Sequence, residues 1–302
     1  MRIIITGGTG LIGRALTNVL VADGHQVITL SRTPQHTTGL PTGAIIESWD
    51  ARTADGWGHL VEDAHAIVNL AGESIGAGRW TATRKHRIRQ SRLDAGRAVV
   101  QAVELAAHKP RVVVQASGIG YYGPTADQEI TEETPPGDDF LARVAQEWES
   151  STAAVETLGV RRAIIRTGVV LSMDGGALPR LLLPFKLFAG GPLGSGRQWL
   201  PWIHLADEVA AIRFLIENKN AAGPFNLAAP HPLTNTQFSR LVGRVMRRPA
   251  IAPAPAFALR LALGEMATLL LDGQRAASRK LQALGFHFRY PQAEEALRDL
   301  LA

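Results

Sequence analysis

The stretch that most limits the fold is TGGTGLIG, Thr6 to Gly13, in which Gly7, Gly10 and Gly13 stand three residues apart. It follows the apolar, β-branched run RIIIT (Arg2 to Thr6) and precedes Leu11 to Ala22, whose apolar spacing predicts a helix. Gly24-His25 then turns the chain into a second apolar run, Gln26 to Leu30. Strand, glycine turn, helix and strand make a βαβ unit with parallel strands. In such a turn Gly7 permits the tight exit from the strand. Gly10 lets backbone approach a diphosphate, and Gly13 lets the helix pack closely. The free N–H groups of the first helical turn, from Gly10, Leu11, Ile12 and Gly13, then face the phosphates, and the helix dipole favours their charge. The segment predicts a dinucleotide site.

The rest of the chain repeats this pattern. Apolar runs AIVNLAG, RVVVQAS, RAIIRTGVVL and PFNLA are mostly separated by helix-length segments. Runs this apolar suit strands buried on both faces, and alternation with helices indicates a parallel sheet. The expected class is α/β, a Rossmann-type doubly wound parallel sheet. After Leu171 the chain becomes rich in Gly and Pro, and from Ala229 it is helical pattern and Pro-rich loop. Residues 1–171 and 203–228 are therefore expected to form the dinucleotide domain. Residues 172–202 and 229–302 are expected to form a smaller, mostly helical substrate domain. The apolar stretch Ala256 to Leu271, broken by Arg260 and Glu265, reads as a buried amphipathic helix.

Composition bounds the partners. A chain of 302 residues with 46% hydrophobic and 20% charged residues buries a large core. It has no cysteine, which excludes disulfides and thiolate chemistry. No run is long enough for a membrane span, and no His/Asp/Glu spacing suggests a metal site. The net charge is +5, and the densest basic run is RKHRIRQSR, Arg84 to Arg92. It lacks interleaved aromatics and reads as a solvated helix face or part of an anion pocket. The expected partner is a small molecule, with neither nucleic acid nor membrane, in the cytoplasm; a homodimer is left open.

The end of the second strand chooses the cofactor. An NAD site offers a carboxylate there for the ribose hydroxyl, whereas this chain has Ser31 and Arg32. A hydroxyl and a guanidinium suit a 2′-phosphate, so NADP(H) is expected.

TGGTGLIG, NLAG (Asn69 to Gly72), ASGIGYYG (Ala116 to Gly123), PWIHLADEVAAI and GPFNLAAP together resemble the extended short-chain dehydrogenase/reductase superfamily of nucleotide-sugar epimerases and dehydratases. RWTATRKHRIRQSR, FLARVAQEWE and GQRAASRKLQALGFHFRYP resemble a narrower, atypical epimerase-like subgroup with a C-terminal domain of unknown function. The resemblance implies further cofactor contacts from Asp50, Leu70, Ala71, Gly72, Arg92, Ala116, Thr167 and Gly168. It also implies a Tyr-x-x-x-Lys pair whose phenol trades a proton with substrate while the lysine lowers its pKa. Here Phe140 or Leu141 falls at the Tyr position and Val144 or Ala145 at the Lys position.

Ser117, one residue before the superfamily's hydroxyl position, and Tyr122, in its Tyr-Gly step, are the remaining catalytic candidates. For both Tyr121 and Tyr122, packing with a tethered hydroxyl is the other reading. Lys85, Ile88, Arg92 and Val99 share one helix face, so Lys85 is a candidate for substrate together with Tyr121. Glu147 is a further candidate, or else a surface ion-pair partner. Trp202 and His204 fall at the domain junction, where superfamily members close over substrate.

The reading is an NADP(H)-binding, epimerase-like oxidoreductase for a small polar substrate, including anionic, nucleotide-sugar-like ones. The alternative is a non-catalytic NADPH-binding regulator, linked by the subgroup's names to cell division.

Overall fold

Six runs of apolar, β-branched sequence, most of them buried on both faces, and a short edge strand form one sheet. In the computed structural model, which describes residues 1–302, they are β1 (Arg2–Thr6), β2 (Gln26–Ser31), β3 (Ile45–Ser48), β4 (Ala66–Asn69), β5 (Val112–Gly118), β6 (Arg161–Thr167) and β7 (Gly223–Leu227). The spatial order is β7-β6-β5-β4-β1-β2-β3 and every pairing is parallel. The order reverses between β1 and β4, the switch point at which doubly wound sheets bind ligands.

Side chains alternate between the two faces. Ile3 and Ile5 pack with Leu16 and Leu20 of α1 (Leu11–Ala22) and Ile212 and Leu215 of α5 (Leu205–Glu217). Ile4, Ile67 and Val113 pack on the other face with Ala95, Val99 and Ala102 of α2 (Ala82–Leu105). The Rossmann-type class is what the chain adopts. No helix is long and apolar enough to cross a membrane.

A third core defines the smaller lobe. Leu178, Leu182 and Phe185 of α4 (Leu178–Lys186) meet Trp202, Phe238 and Val242 of α6 (Asn235–Met246) and Leu297 of α8 (Ala293–Leu301). The Asp207 carboxylate, in the first turn of α5, accepts hydrogen bonds from the Arg289 and Tyr290 N–H groups at 2.7 and 2.9 Å. One buried carboxylate thus ties the C-terminal arm to the junction.

Three features differ from the sequence expectation. Strand β3 is half-buried at the sheet edge, and its short IIES run stood out too little to be read as a strand. The C-terminal arm does not lie wholly in the smaller lobe. Arg275–Ala276 pairs with Glu129–Ile130, Leu281 and Phe286 join the core of the main sheet, and Lys280 Nζ donates to the Ala222 and Pro224 carbonyls. Finally, Ala256–Leu271 is not one buried helix. It is α7 (Ala256–Leu263), a turn at Gly264, where φ is +61°, and a second short helix Thr268–Leu271. No residue of α7 is buried. Its sequence AFALRLAL is apolar nearly all round, so its spacing carried no information about which face, if any, meets a core.

Candidate functional site

The carboxyl ends of the strands gather the sequence's candidates along one edge of the sheet. At its centre β1 runs into the glycine turn. Gly7 has φ +68°, and a β-carbon there would come within 2.8 Å of the Leu70 carbonyl carbon. A β-carbon at Gly13 would lie 2.4 Å from the Gly7 oxygen, so α1 sits directly on the turn. At Gly10 the only close atom is the Gly7 oxygen at 3.2 Å, and the space beyond is open. No side chain caps α1, and its first helical bond runs from Arg14 N–H to the Gly10 oxygen. The N–H groups of Leu11, Ile12 and Gly13 therefore precede the helical ladder. This is a cradle open to an anion, bounded by Leu70, Ala71 and Gly72 of the β4 loop, where the Thr6 oxygen accepts from Leu70 N–H at 3.2 Å.

On the far side of the turn Arg32 is exposed and in no ion pair, and Ser31 is buried. The Ser31 hydroxyl accepts from Thr33 N–H and lies 3.0 Å from the Thr37 hydroxyl, which shapes the loop that carries Arg32. Asp50 is exposed. Although desolvation acts to raise its pKa, hydrogen bonds from Thr53 and Arg52 hold the carboxyl below its ordinary value. Arg92 braces the cradle from behind. Its Nη1 donates to the Glu73 and Ile88 carbonyls at 3.0 and 2.8 Å, and its guanidinium lies 4.6 Å over the Trp148 ring. Burial pulls its pKa down to about 10, and the side chain packs against Gly72, where a β-carbon would lie 3.1 Å from the guanidinium carbon. It positions the β4 loop.

The other half of the edge is filled by side chains bonded to one another. Ser117, Arg166 and Asn226 stand in register across β5, β6 and β7. Beneath them Glu149 projects from α3 (Phe140–Ser150), which Asp139 caps. Ser117 Oγ donates to Glu149 Oε1 at 2.7 Å. Arg166 grips both Glu149 oxygens at 2.9 Å and donates to the Tyr122 hydroxyl at 2.8 Å. Tyr122 in turn donates to Asn226 Oδ1 at 2.7 Å, and the Tyr121 ring lies 3.5 Å from the same guanidinium.

Burial pushes the Tyr122 phenol up to about 12, against the pull of Arg166. Burial acts to lower the Arg166 pKa, but its bonds to Glu149 hold it above the ordinary value. Ser117 and Tyr122, expected to serve the reacting carbon, are both donors within this network. Glu149 and Arg166 were not anticipated. A buried pair on a helix and a strand with no fixed spacing leaves no local signal; only Glu149 in FLARVAQEWE hinted at it.

The neighbouring positions are also engaged. Thr167 Oγ1 donates to Glu208 Oε1 at 2.7 Å, and burial pushes this carboxyl up to about 8. Gly168 lies against backbone, its β-carbon position 2.4 Å from the Pro201 oxygen, and Ala116 is buried within β5. On α3, Phe140 stacks edge-on to Trp80 at 5.1 Å and Val144 joins Trp80 and Ile88, while Leu141 packs against Gly120.

Lys85 Nζ lies 2.5 Å from Glu265 Oε2, tying α2 to the C-terminal arm. Glu147 pairs with Arg89 on the surface. Trp202 and His204, expected at the substrate, are core residues of the junction. The Trp202 indole donates to the His231 carbonyl, and His204 caps α5 through Nδ1 and lies 4.1 Å from the Tyr290 ring. Glu62, Asp63 and His108 bring ligand atoms within 4.8 Å of one another at the amino edge, but Glu62 is occupied by the Ala107 and His108 N–H groups.

A parallel sheet with a reversal beside an uncapped, glycine-lined helix start defines a dinucleotide-binding fold. Residues 3–228 match the profile of the NAD dependent epimerase/dehydratase family, and residues 254–300 match a domain of unknown function, DUF1731. The chain belongs to the NAD-dependent epimerase/dehydratase family. It is 40% identical to the epimerase family protein YfhF of Bacillus subtilis, covering 100% of this chain and 98% of that one. It superposes on the crystal structure of human epimerase family protein SDR39U1 with NADPH at a TM-score of 0.89, with 34% identity and 99% of both chains covered. A nucleoside-diphosphate sugar epimerase structure from Corynebacterium glutamicum is 33% identical with a TM-score of 0.78; the chain spans 58% of its length.

Proposed function

We propose that the chain binds NADP(H) at the Gly7–Gly13 cradle and passes a hydride between it and a small polar substrate without a Tyr-x-x-x-Lys pair. The observation that carries this is the open β-carbon space at Gly10 beside three N–H groups that no side chain caps. The residues fit the cofactor. The Leu11 to Gly13 amides would hold the diphosphate, and Arg32 would pair with a 2′-phosphate. The human relative solved with NADPH supports the same choice. NADP(H) supplies or accepts hydride when bound.

This chain's own groups do less proton chemistry than the superfamily's. Helix α3 contains neither Tyr nor Lys, and the hydroxyls of Ser117, Tyr122 and Thr167 already donate to buried acceptors. The oxygen left on a reduced carbonyl then takes its proton from water or from the substrate. Around the cleft mouth Arg180 donates to the Gly76 oxygen, Arg79 to the Leu261 oxygen, and Lys85 meets Glu265. These cations support a polar or anionic substrate, including a nucleotide-sugar-like one.

The same spent hydroxyls favour a second reading, a regulator that reports NADPH occupancy without turnover. The deciding measurement is fluorescence titration with NADPH, followed by single-turnover oxidation against a panel of carbonyl metabolites. Binding with oxidation is expected. Binding without oxidation on any substrate moves the regulator ahead, and absence of binding removes both readings.

A further inference from the structure

Six large apolar side chains of the smaller lobe stand in solvent. Leu183 is 55% exposed, Leu187 68%, Phe188 62%, Ile251 84%, Phe257 74% and Leu261 78%. They belong to one edge. Leu183 and Leu187 are one turn apart at the end of α4, and Phe188 follows. The Arg248 guanidinium lies 4.4 Å from the Phe188 ring, and Ala252 N–H donates to the Gly190 oxygen at 3.0 Å, which brings Ile251 alongside. Bonds from Ala254 N–H to the Pro192 oxygen and from Gly194 N–H to the Ala254 oxygen carry the same edge to α7. There Phe257 and Leu261 share a face. Pro184, Ala189, Ala252, Pro253, Pro255 and Ala262 are exposed along the same segments.

Along the exposed segments themselves the charge has one sign, with Glu265, Asp272 and Glu294 lying at their borders. No Asp or Glu occurs between Asp174 and Asp207, or between Glu217 and Glu265, while these stretches carry three and six Lys or Arg. Lys186, Arg247 and Arg248 are exposed and make no ion pair with a carboxylate.

We infer that this face docks on the surface of a phospholipid membrane bearing anionic headgroups. A lipid surface offers anions above an apolar layer, which matches protruding Phe, Leu and Ile side chains rimmed by cations whose stems can reach up to the headgroups. A second copy of the chain would set Lys186, Arg247 and Arg248 against the same unpaired cations. Nucleic acid would supply phosphates but no apolar layer. The docking is peripheral and needs no spanning segment, so it is compatible with the absence of a helix long and apolar enough to cross a membrane.

The test is co-sedimentation of the full chain with vesicles of phosphatidylcholine alone and of phosphatidylcholine with phosphatidylglycerol in equal parts. The wild type is expected to partition onto the mixed vesicles at least about tenfold more strongly at low salt, since each cation near an anionic surface is worth about fivefold. Arg247→Gln with Arg248→Gln should lower that partition by about tenfold or more and flatten its salt dependence. Phe257→Ser with Leu261→Ser should lower it by a similar factor at every salt concentration. All four side chains are in solvent, and unchanged NADPH affinity checks that the variants fold. The inference fails if wild type stays in the supernatant with mixed vesicles, if it binds both vesicles equally, or if both double variants bind like wild type. It also fails if sedimentation velocity shows a dimer that Phe257→Ser with Leu261→Ser dissolves, which would assign the face to a second copy.

Discussion

The two halves of the sheet's carboxyl edge use opposite means. Around β1, β2 and β4 the polar groups are backbone amides at an uncapped helix start and the exposed Arg32 guanidinium, which is in no ion pair. Around β5, β6 and β7 the groups are hydroxyls and charges, and each already has a buried partner. A backbone cradle is kept open by what glycine lacks. A side-chain site is kept open only if its polar groups are left without partners, which is costly in a dry interior. In this chain the second half has resolved that cost by closing on itself. An open backbone cradle and a closed side-chain network thus stand side by side on one sheet edge.

The sharpest test of that separation is Glu149→Leu. It strands the Arg166 charge in a buried site, and losing one partner of such a pair costs about 3–5 kcal/mol. Urea unfolding should show a loss of that order, largely recovered in the double variant Glu149→Leu with Arg166→Met. NADPH affinity of the folded single variant should hold. A matching collapse of affinity would mean that the two halves are one unit.

Next is Glu208, at the boundary between the halves. Its carboxyl is held near 8 in the fold against an ordinary value of 4.5, so folding takes up a proton between those pH values. The stability contributed by its buried, neutral form is present below about pH 4.5 and is lost as pH rises toward 8. Glu208→Gln cannot ionise. Its unfolding free energy relative to wild type, from urea unfolding, should climb from pH 5 to pH 8, with a difference at the upper end on the order of a few kcal/mol. A difference that stays flat across this range would place the titration elsewhere.

Arg32→Ala probes the open half. Loss of a charge-assisted contact costs about 1.5–3 kcal/mol, which weakens NADPH by roughly tenfold or more and leaves NADH nearly unchanged. Equal losses for both cofactors would take Arg32 out of the site.

The smallest effect is expected from Tyr122→Phe. Removing the hydroxyl leaves Asn226 Oδ1 without its donor, at a cost of about 1–3 kcal/mol in stability. Any turnover of NADPH should change by less than about threefold. A hundredfold loss, the scale of a missing oxyanion donor, would restore the phenol to catalysis and break the comparison.

The legible part of the molecule is the part encoded locally. Strand β1, the glycine turn and α1 are contiguous, and each residue's task there follows from its own backbone geometry, so Thr6 to Gly13 could be read without partners. Ser31 and Arg32 can be located for the same reason, at the end of a recognisable strand; their part in NADP(H) binding is the proposal that Arg32→Ala tests. The surroundings of Ser117 and Tyr122 are not legible in the sequence because a hydroxyl's chemistry depends on its partner. That partner, Glu149 or Asn226, lies on another element far along the chain. His204 and Trp202 were placed at the substrate by their position at the junction, yet packing with Tyr290 and His231 takes them inside.

By itself the sequence determined the α/β class, the dinucleotide turn and the absence of a Tyr-Lys pair on α3, because strand burial, glycine conformation and residue identity are local properties. Only the tertiary structure decided which polar groups stay free, since a hydrogen bond between strands and helices is fixed by register and not by spacing. It also decided that Ala256 to Leu263 lies outside every core. A helix apolar on all sides has no preferred face until neighbouring elements cover one, and here they leave Phe257 and Leu261 in water.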